Sequence, residues 1–229
     1  NTWHNVTYAY QGEGGSKVTY VDGRKVEEAQ VEDTFGDYPP FAMTDYEVGG
    51  YRVSASNEDT VNDRHAWNMF GAGYWFTNAG TFATSGSYDA LGGDTFIDTG
   101  GVSHTGHWLK LNTPFRFTLN WVDLFGPNSA NQPDSYVILG SGNDGVTWDL
   151  LYTETGYSMS SGTNTNSSNV VPPIDHDYAI VNAQKRYNTF LFVFKSLIAA
   201  GGKMHIKVDG FYGHKEGDLT RFPEPTRVL

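Results

Sequence analysis

The chain has 229 residues, a formal charge of −11 and 15 Lys plus Arg, so no basic stripe exists to neutralise nucleic-acid phosphates or to hold an anionic membrane. Aromatic residues make up 15%, charged residues 18%, and glycines number 27, which suits short strands joined by tight turns and not a disordered chain. No Cys is present, which removes disulfides and thiolate metal sites, and no apolar run reaches the roughly 18 residues of a membrane helix.

In residues 3–10 and 17–22 apolar or aromatic side chains alternate with polar ones around Glu13-Gly14-Gly15, the pattern of a hairpin. Asp22-Gly23 is a second turn leading into a third short strand. Residues 1–37 thus read as a three-stranded meander. Gly36-Asp37-Tyr38-Pro39-Pro40 interrupts that pattern, and a boundary is expected near residue 37.

Beyond the prolines strands recur: YEVGGYRVSAS, HWLKLN, FRFTLNWVDLF, DSYVILGSGN, TWDLLYTE, YNTFLFVFKSL and MHIKVDGFYG, separated by Gly, Pro, Asn and Asp clusters. Many short strands with regular turn signals predict an all-β sandwich. The one helical candidate, His65 to Phe70, is about a turn and a half long and too short to organise a fold. Residues 156–169 read as a polar surface loop, and residues 216–229, ending RFPEPTRVL, as a tail or a linker to a further domain. Sequons at Asn5-Val6-Thr7 and Asn166-Ser167-Ser168 permit N-glycosylation in a secretory pathway.

Residues 136–151, YVILGSGNDGVTWDLL, carry Tyr136, Ile138, Ser141, Asp144, Gly145 and Trp148 in an order that resembles the discoidin, or coagulation-factor C-type, family, with one extra residue before the Asp-Gly turn. Upstream, Trp108, Leu109, Pro114, Phe117 and Trp121 are similar to that family's long core segment. VSAS, AWNMF and Tyr74-Trp75 resemble its first strand, helical turn and following tryptophan, and MHIKVDGFYG its last strand, closing on Gly213. Gly71 departs from the family's Phe-Asp-Gly turn. The resemblance covers residues 38–213 and implies a discoidin-like, galactose-binding-like jelly-roll sandwich over residues 38–215, with ligand-binding loops at one end. The opening stretch matches another family. Trp3-His4-Asn5-Val6, Tyr8, Tyr10, Gly12 and Tyr20-Val21-Asp22-Gly23 resemble the end of a laminin-G or concanavalin-like lectin domain, which implies that residues 1–37 are closing strands of a sandwich whose earlier strands lie outside this chain.

Binding a sugar requires an aromatic face for the apolar side of the ring and planar polar groups that bond hydroxyls in pairs. Arg64, His65, Trp67, Tyr74 and Trp75 occupy the loop where the resemblance places such groups. Trp67 and Trp75 suit core anchors equally well, and Arg64 and His65 a solvated turn. His104 and His107 precede a core strand and read as ordinary loop polarity, as part of the same rim or, short of a third ligand, as ligands of a Zn ion. Asp175-His176-Asp177 is a compact acidic cluster for sugar hydroxyls or a hard cation, or a solvated turn. The resemblance implies a structural Ca²⁺ near the first loop, for which Asn62, Asp63 and Asp209 are the candidate ligands.

Gly-x-Ser-x-Gly, P-loop and His-Glu-x-x-His motifs are absent. Paired carboxylates for glycoside hydrolysis are a matter of spacing that the fold decides. The sequence is therefore read as a non-catalytic adhesion or carbohydrate-binding module of a larger extracellular, cell-surface or virion protein, with glycans or glycoproteins and neighbouring domains or subunits as partners. The alternative is a structural assembly domain of a viral fibre, capsid or extracellular filament with no glycan ligand. The two differ in loop geometry, not in fold.

Overall fold

The computed structural model describes residues 5–10, 16–30, 34–78, 82, 88, 94–126, 131–156, 179–181, 183, 185–198 and 202–215. The chain divides into two compact units, the first of residues 1–36 with 214–229 and the second of residues 37–213.

In the first unit β1 (Val6–Tyr10), β2 (Ser16–Val21) and β3 (Arg24–Gln30) form an antiparallel three-stranded sheet in chain order. The turn between β2 and β3 places Asp22 at φ 52° and Gly23 at φ 76°, the left-handed pair that two-residue hairpins demand. The Asp22 carboxylate accepts the Asn5 amide at 2.9 Å, closing the β1 end of the turn. Trp3, His4 and Gly12 lie outside the described residues. β4 (Thr34–Asp37) leads into the second unit.

The second unit is all-β and antiparallel. β5 (Glu47–Val48) and β6 (Tyr51–Ala55) form a hairpin about Gly49 and Gly50, both at positive φ. One strand was expected across YEVGGYRVSAS; the two glycines fold it back on itself instead. After two short 3-10 turns, Thr60–Asn62 and Ala66–Phe70, come β7 (Trp75–Phe76) and β8 (Asp94–Ile97). The sequence was not read as holding β8.

The spine is β9, Ser103–Phe125, 23 residues long. Its Leu109–Asn112 stretch lies between β6 and β13 (Tyr187–Leu197). Its distal part pairs with β12 (Ala179–Ile180) and neighbours β14 (His205–Lys215). HWLKLN and FRFTLNWVDLF, expected as separate strands at Pro114, are one strand. Residues 113–116 stand against Asn188 alone, between the Asn112↔Thr189 and Phe117↔Tyr187 pairs. Pro114 sits in that bulge, where no ladder amide is lost. β10 (Pro133–Ser141) and β11 (Asp149–Glu154) extend the sheet beyond β13.

Aromatic side chains of β9, β13 and β14 meet in one core. Phe117 lies 4.7 Å from Phe190 and 5.7 Å from Phe211, ring to ring, and Phe190 and Phe211 are 5.0 Å apart. Leu109, Leu111, Ile138, Phe192, Phe194 and Ile206 complete it, all fully buried. This is the sandwich that the alternation in the sequence predicts.

The outward face of β10, β13 and β9 is buried too. Val137, Leu139, Leu191 and Val193 form a second, smaller core beneath Trp148, Phe96 and Trp108. That explains the unbroken apolar run of β13: a strand covered on both faces loses the alternation of a half-exposed one. Trp148, delivered by the Asp144-Gly145 turn at φ 59° and 89°, packs edge-on against Phe96 at 6.0 Å. Gly106 lets β9 run close to β13, because a Cβ there would overlap the Phe194 carbonyl oxygen.

Candidate functional site

The loop after β6 is built on buried polar anchors. Asp59, 7% exposed, accepts the Asn62 side-chain amide on both carboxylate oxygens, at 3.0 and 2.8 Å. Its backbone carbonyl receives the Arg64 amide at 3.0 Å. Asp63 turns the chain in the left-handed region, φ 54°, and the Asn68 amide holds its carbonyl at 2.8 Å. A loop pinned in this way presents its next side chains in fixed positions.

Those side chains are His65 and Trp67. Their rings stack, 5.8 Å between centroids and 16° from parallel. The β5–β6 hairpin sets Tyr46 beside them, its ring edge-on to His65 at 5.9 Å. The Tyr46 hydroxyl donates to Glu58 Oε1 at 2.7 Å and lies 3.0 Å from His65 Nδ1. Glu58 Oε2 accepts the Ala66 amide at 2.7 Å. Burial and then the Glu58 carboxylate push the Tyr46 hydroxyl pKa up to about 12, so it remains a proton donor at neutral pH. Asp63 reaches His65 Nε2 at 3.8 Å, with its own side chain almost fully in solvent. The result is a half-exposed aromatic shelf edged by a carboxylate, an imidazole and a phenol. Sugars are bound by that combination of groups.

Of the residues expected at this rim, His65 and Trp67 stand in it and Arg64 adjoins it through its bridge to Asp59. Trp75 is fully buried, donating its indole N–H to the Asn57 carbonyl at 2.9 Å, so it anchors the loop from the core and offers no face to a ligand. Tyr74 packs on Phe125 at 6.0 Å, with the Lys207 ammonium 6.0 Å from its ring. His107 has no exposed surface and lies between the rings of Phe82 and Tyr88, at 5.2 and 5.1 Å. His104 is buried against Asp98, Nε2 to Oδ2 at 2.9 Å. The two histidines thus have separate buried partners instead of a common rim. Asp175, His176 and Asp177 lie outside the described residues.

Of the three residues named for Ca²⁺, Asp63 carries an almost fully exposed carboxylate. The Asn62 amide is turned to Asp59, and Asp209 is ion-paired with Lys207 at 2.5 Å. Among the described residues no three His, Asp or Glu side chains gather where a metal could bind.

Tyr46 and Glu58 were not singled out from the sequence. The signal for Tyr46 was Gly49-Gly50, since a hairpin there returns Tyr46 alongside β6, where its carbonyl accepts the Val53 amide at 2.8 Å. Glu58 carried no signal beyond its place in the loop.

No protein-family model matches the chain, and no curated protein does. Solved structures similar to it include module CBM32-3 of a family 31 glycoside hydrolase from Clostridium perfringens, at 12% identity over 71% of this chain and 88% of that one, TM-score 0.44. Chitosan-binding module 1 of a chitosanase/glucanase from Paenibacillus sp. IK-5 is 15% identical over 71% and 93%, TM-score 0.43. The family 32 module of NanJ from C. perfringens, solved with galactose, is 11% identical over 72% and 93%, TM-score 0.43.

Proposed function

We propose that the chain is a non-catalytic carbohydrate-binding module, and that the shelf formed by Tyr46, Glu58, His65 and Trp67 contacts the sugar. The observation that carries this is the His65–Trp67 stack with Glu58 and Tyr46 bonded at its edge. The C–H face of a pyranose packs on the aromatic shelf, and its hydroxyls bond the Glu58 carboxylate and the His65 ring nitrogen. Such a module acts as the adhesive part of a larger protein exposed outside the cell, with glycans or glycoproteins as partners.

The test is titration of the full chain with a glycan panel by isothermal calorimetry or NMR. Binding in the millimolar range or tighter, weakened at least tenfold by Trp67→Ala or His65→Ala, is the expected result. Silence across the panel at millimolar glycan, together with a defined oligomer in solution, would replace this reading with that of an assembly domain.

A further inference from the structure

A second concavity, of about 530 Å³, shares no residue with the Tyr46–Trp67 shelf and lies within the sizes that hold small ligands. One wall is the β8–β9 turn. Asp98 fixes it, accepting the Val102 amide on Oδ1 at 2.9 Å and bonding His104 through Oδ2, while the Thr99 amide donates to the Trp148 carbonyl at 2.8 Å. The next residue after Trp148 is Asp149, which stands at the centre of a polar cluster. It accepts Thr99 Oγ1 at 2.8 Å, Lys185 Nζ at 2.9 Å and the Tyr187 hydroxyl at 2.9 Å. Leu151, Val181 and Ala183 line the remainder with apolar surface, and Val102 and Leu150, 54% and 44% exposed, form its rim.

We propose that this cleft is a second ligand site, taking a neutral, hydroxyl-bearing ring such as a pyranose unit. Lys185 keeps two ammonium protons after bonding Asp149, and the Thr99 and Tyr187 oxygens keep acceptor capacity. Donors and acceptors therefore alternate over a few ångströms beside an apolar wall. Vicinal hydroxyls above the C–H face of a sugar ring match that alternation. An acidic sugar would meet the Asp149 carboxylate, and the Lys185 ammonium beside it is already bonded to that carboxylate. The hydrogen bonds from Lys185, Thr99 and Tyr187 hold the Asp149 carboxyl below its usual range, so the acceptor is charged throughout the neutral region. The proposal stands apart from the reading of the shelf, since either site can bind without the other.

The experiment is an NMR titration of the ¹⁵N-labelled full chain with methyl glycosides of a neutral hexose, an N-acetylhexosamine and a hexuronic acid. The amides of Thr99, Gly100, Val102, Leu150 and Leu151 are expected to shift saturably with the neutral glycosides. They should do so equally in a His65→Ala/Trp67→Ala variant, and affinity at these amides should fall at least fivefold in Lys185→Ala, whose side chain is 70% exposed and whose loss leaves the fold intact. Shifts confined to residues 46–67 would overturn the second site and leave the shelf reading standing. Shifts at the cleft alone would support it and remove the shelf reading. Silence at both places would overturn both, and stronger shifts with the hexuronic acid would overturn the neutral-ligand assignment.

Discussion

The shelf and the cleft are both clusters of hydrogen-bonded side chains at the surface of one sandwich, yet they are assembled differently. Tyr46, Glu58, His65 and Trp67 fall within a short stretch of chain, joined by one hairpin and one pinned loop. Thr99, Asp149, Lys185 and Tyr187 come from three remote segments, and the bonds that unite them span 50, 36 and 38 residues. The shelf depends on local turns, whose short loops cost little chain entropy to close. The cleft depends on the outer core being complete, since its central carboxylate follows Trp148 and its wall hangs from the Trp148 carbonyl.

Trp148→Ala separates the two most strongly. The indole is 7% exposed and covers Val137, Leu139, Leu191 and Val193, so its truncation should cost about 3–5 kcal/mol in urea unfolding. Hydrogen exchange should show where the loss lands. The amides of Thr99 and the neighbouring turn are expected to lose protection, while the Ala66 amide on Glu58 keeps its own. Equal loss at both amides would mean that the shelf also leans on the outer core, and the contrast would fail.

The same contrast explains what the sequence disclosed. Alternation in HWLKLN and FRFTLNWVDLF and the turn chemistry of Asp144-Gly145 made the all-β class and the placement of Trp148 legible, because these are local rules. The continuity of β9 through Pro114 was not legible. A proline ends a strand unless a partner permits a bulge, and here that depends on Asn188 of β13. Within the shelf, His65 and Trp67 could be named from their loop, whereas Trp75, two residues after Gly73 and equally aromatic, turned inward. Sequence spacing alone does not distinguish a ring that faces a ligand from one that anchors the loop behind it. The cleft left no mark at all, since no short window contains two of Thr99, Asp149 and Lys185.

Glu58→Ala tests the shelf from its own side with a smaller effect. It removes the acceptor of the Ala66 amide and of the Tyr46 hydroxyl, and leaving those donors without their partner should cost about 1–3 kcal/mol locally. The Tyr46 hydroxyl, at about 12 with the carboxylate in place, should titrate lower in the variant when followed by NMR of labelled tyrosine. Glycan affinity at residues 46–67 should fall, and the shifts at Thr99 and Leu150 should be unchanged. A Tyr46 hydroxyl that titrates as before would show that Glu58 does not set the polarity of the shelf.

Acid provides the mildest separation. His205, at the β14 end paired with β7, has its pKa lowered from 6.5 to about 4, first by burial, then by the positive charges of Lys203 and Arg64, with Asp59 opposing. Above pH 6.5 the ring is neutral folded or unfolded, and its contribution to stability is complete. As pH falls from 6.5 towards 4 the unfolded chain binds the proton first, so that contribution is lost across this window. Asp149 behaves in the opposite range: its carboxyl is held below 3.8, and the stability it adds declines only once pH drops beneath that value. Between pH 6.5 and 4.5 the side of the sandwich bearing Asp59 and Arg64 should therefore loosen while the Asp149 cluster does not. Thermal unfolding of the wild type should drop over this interval by more than that of His205→Gln, and Lys185→Ala should follow the wild-type slope. Parallel slopes for wild type and His205→Gln would show that this histidine does not carry the acid response, and a steeper slope for Lys185→Ala would place it at the cleft.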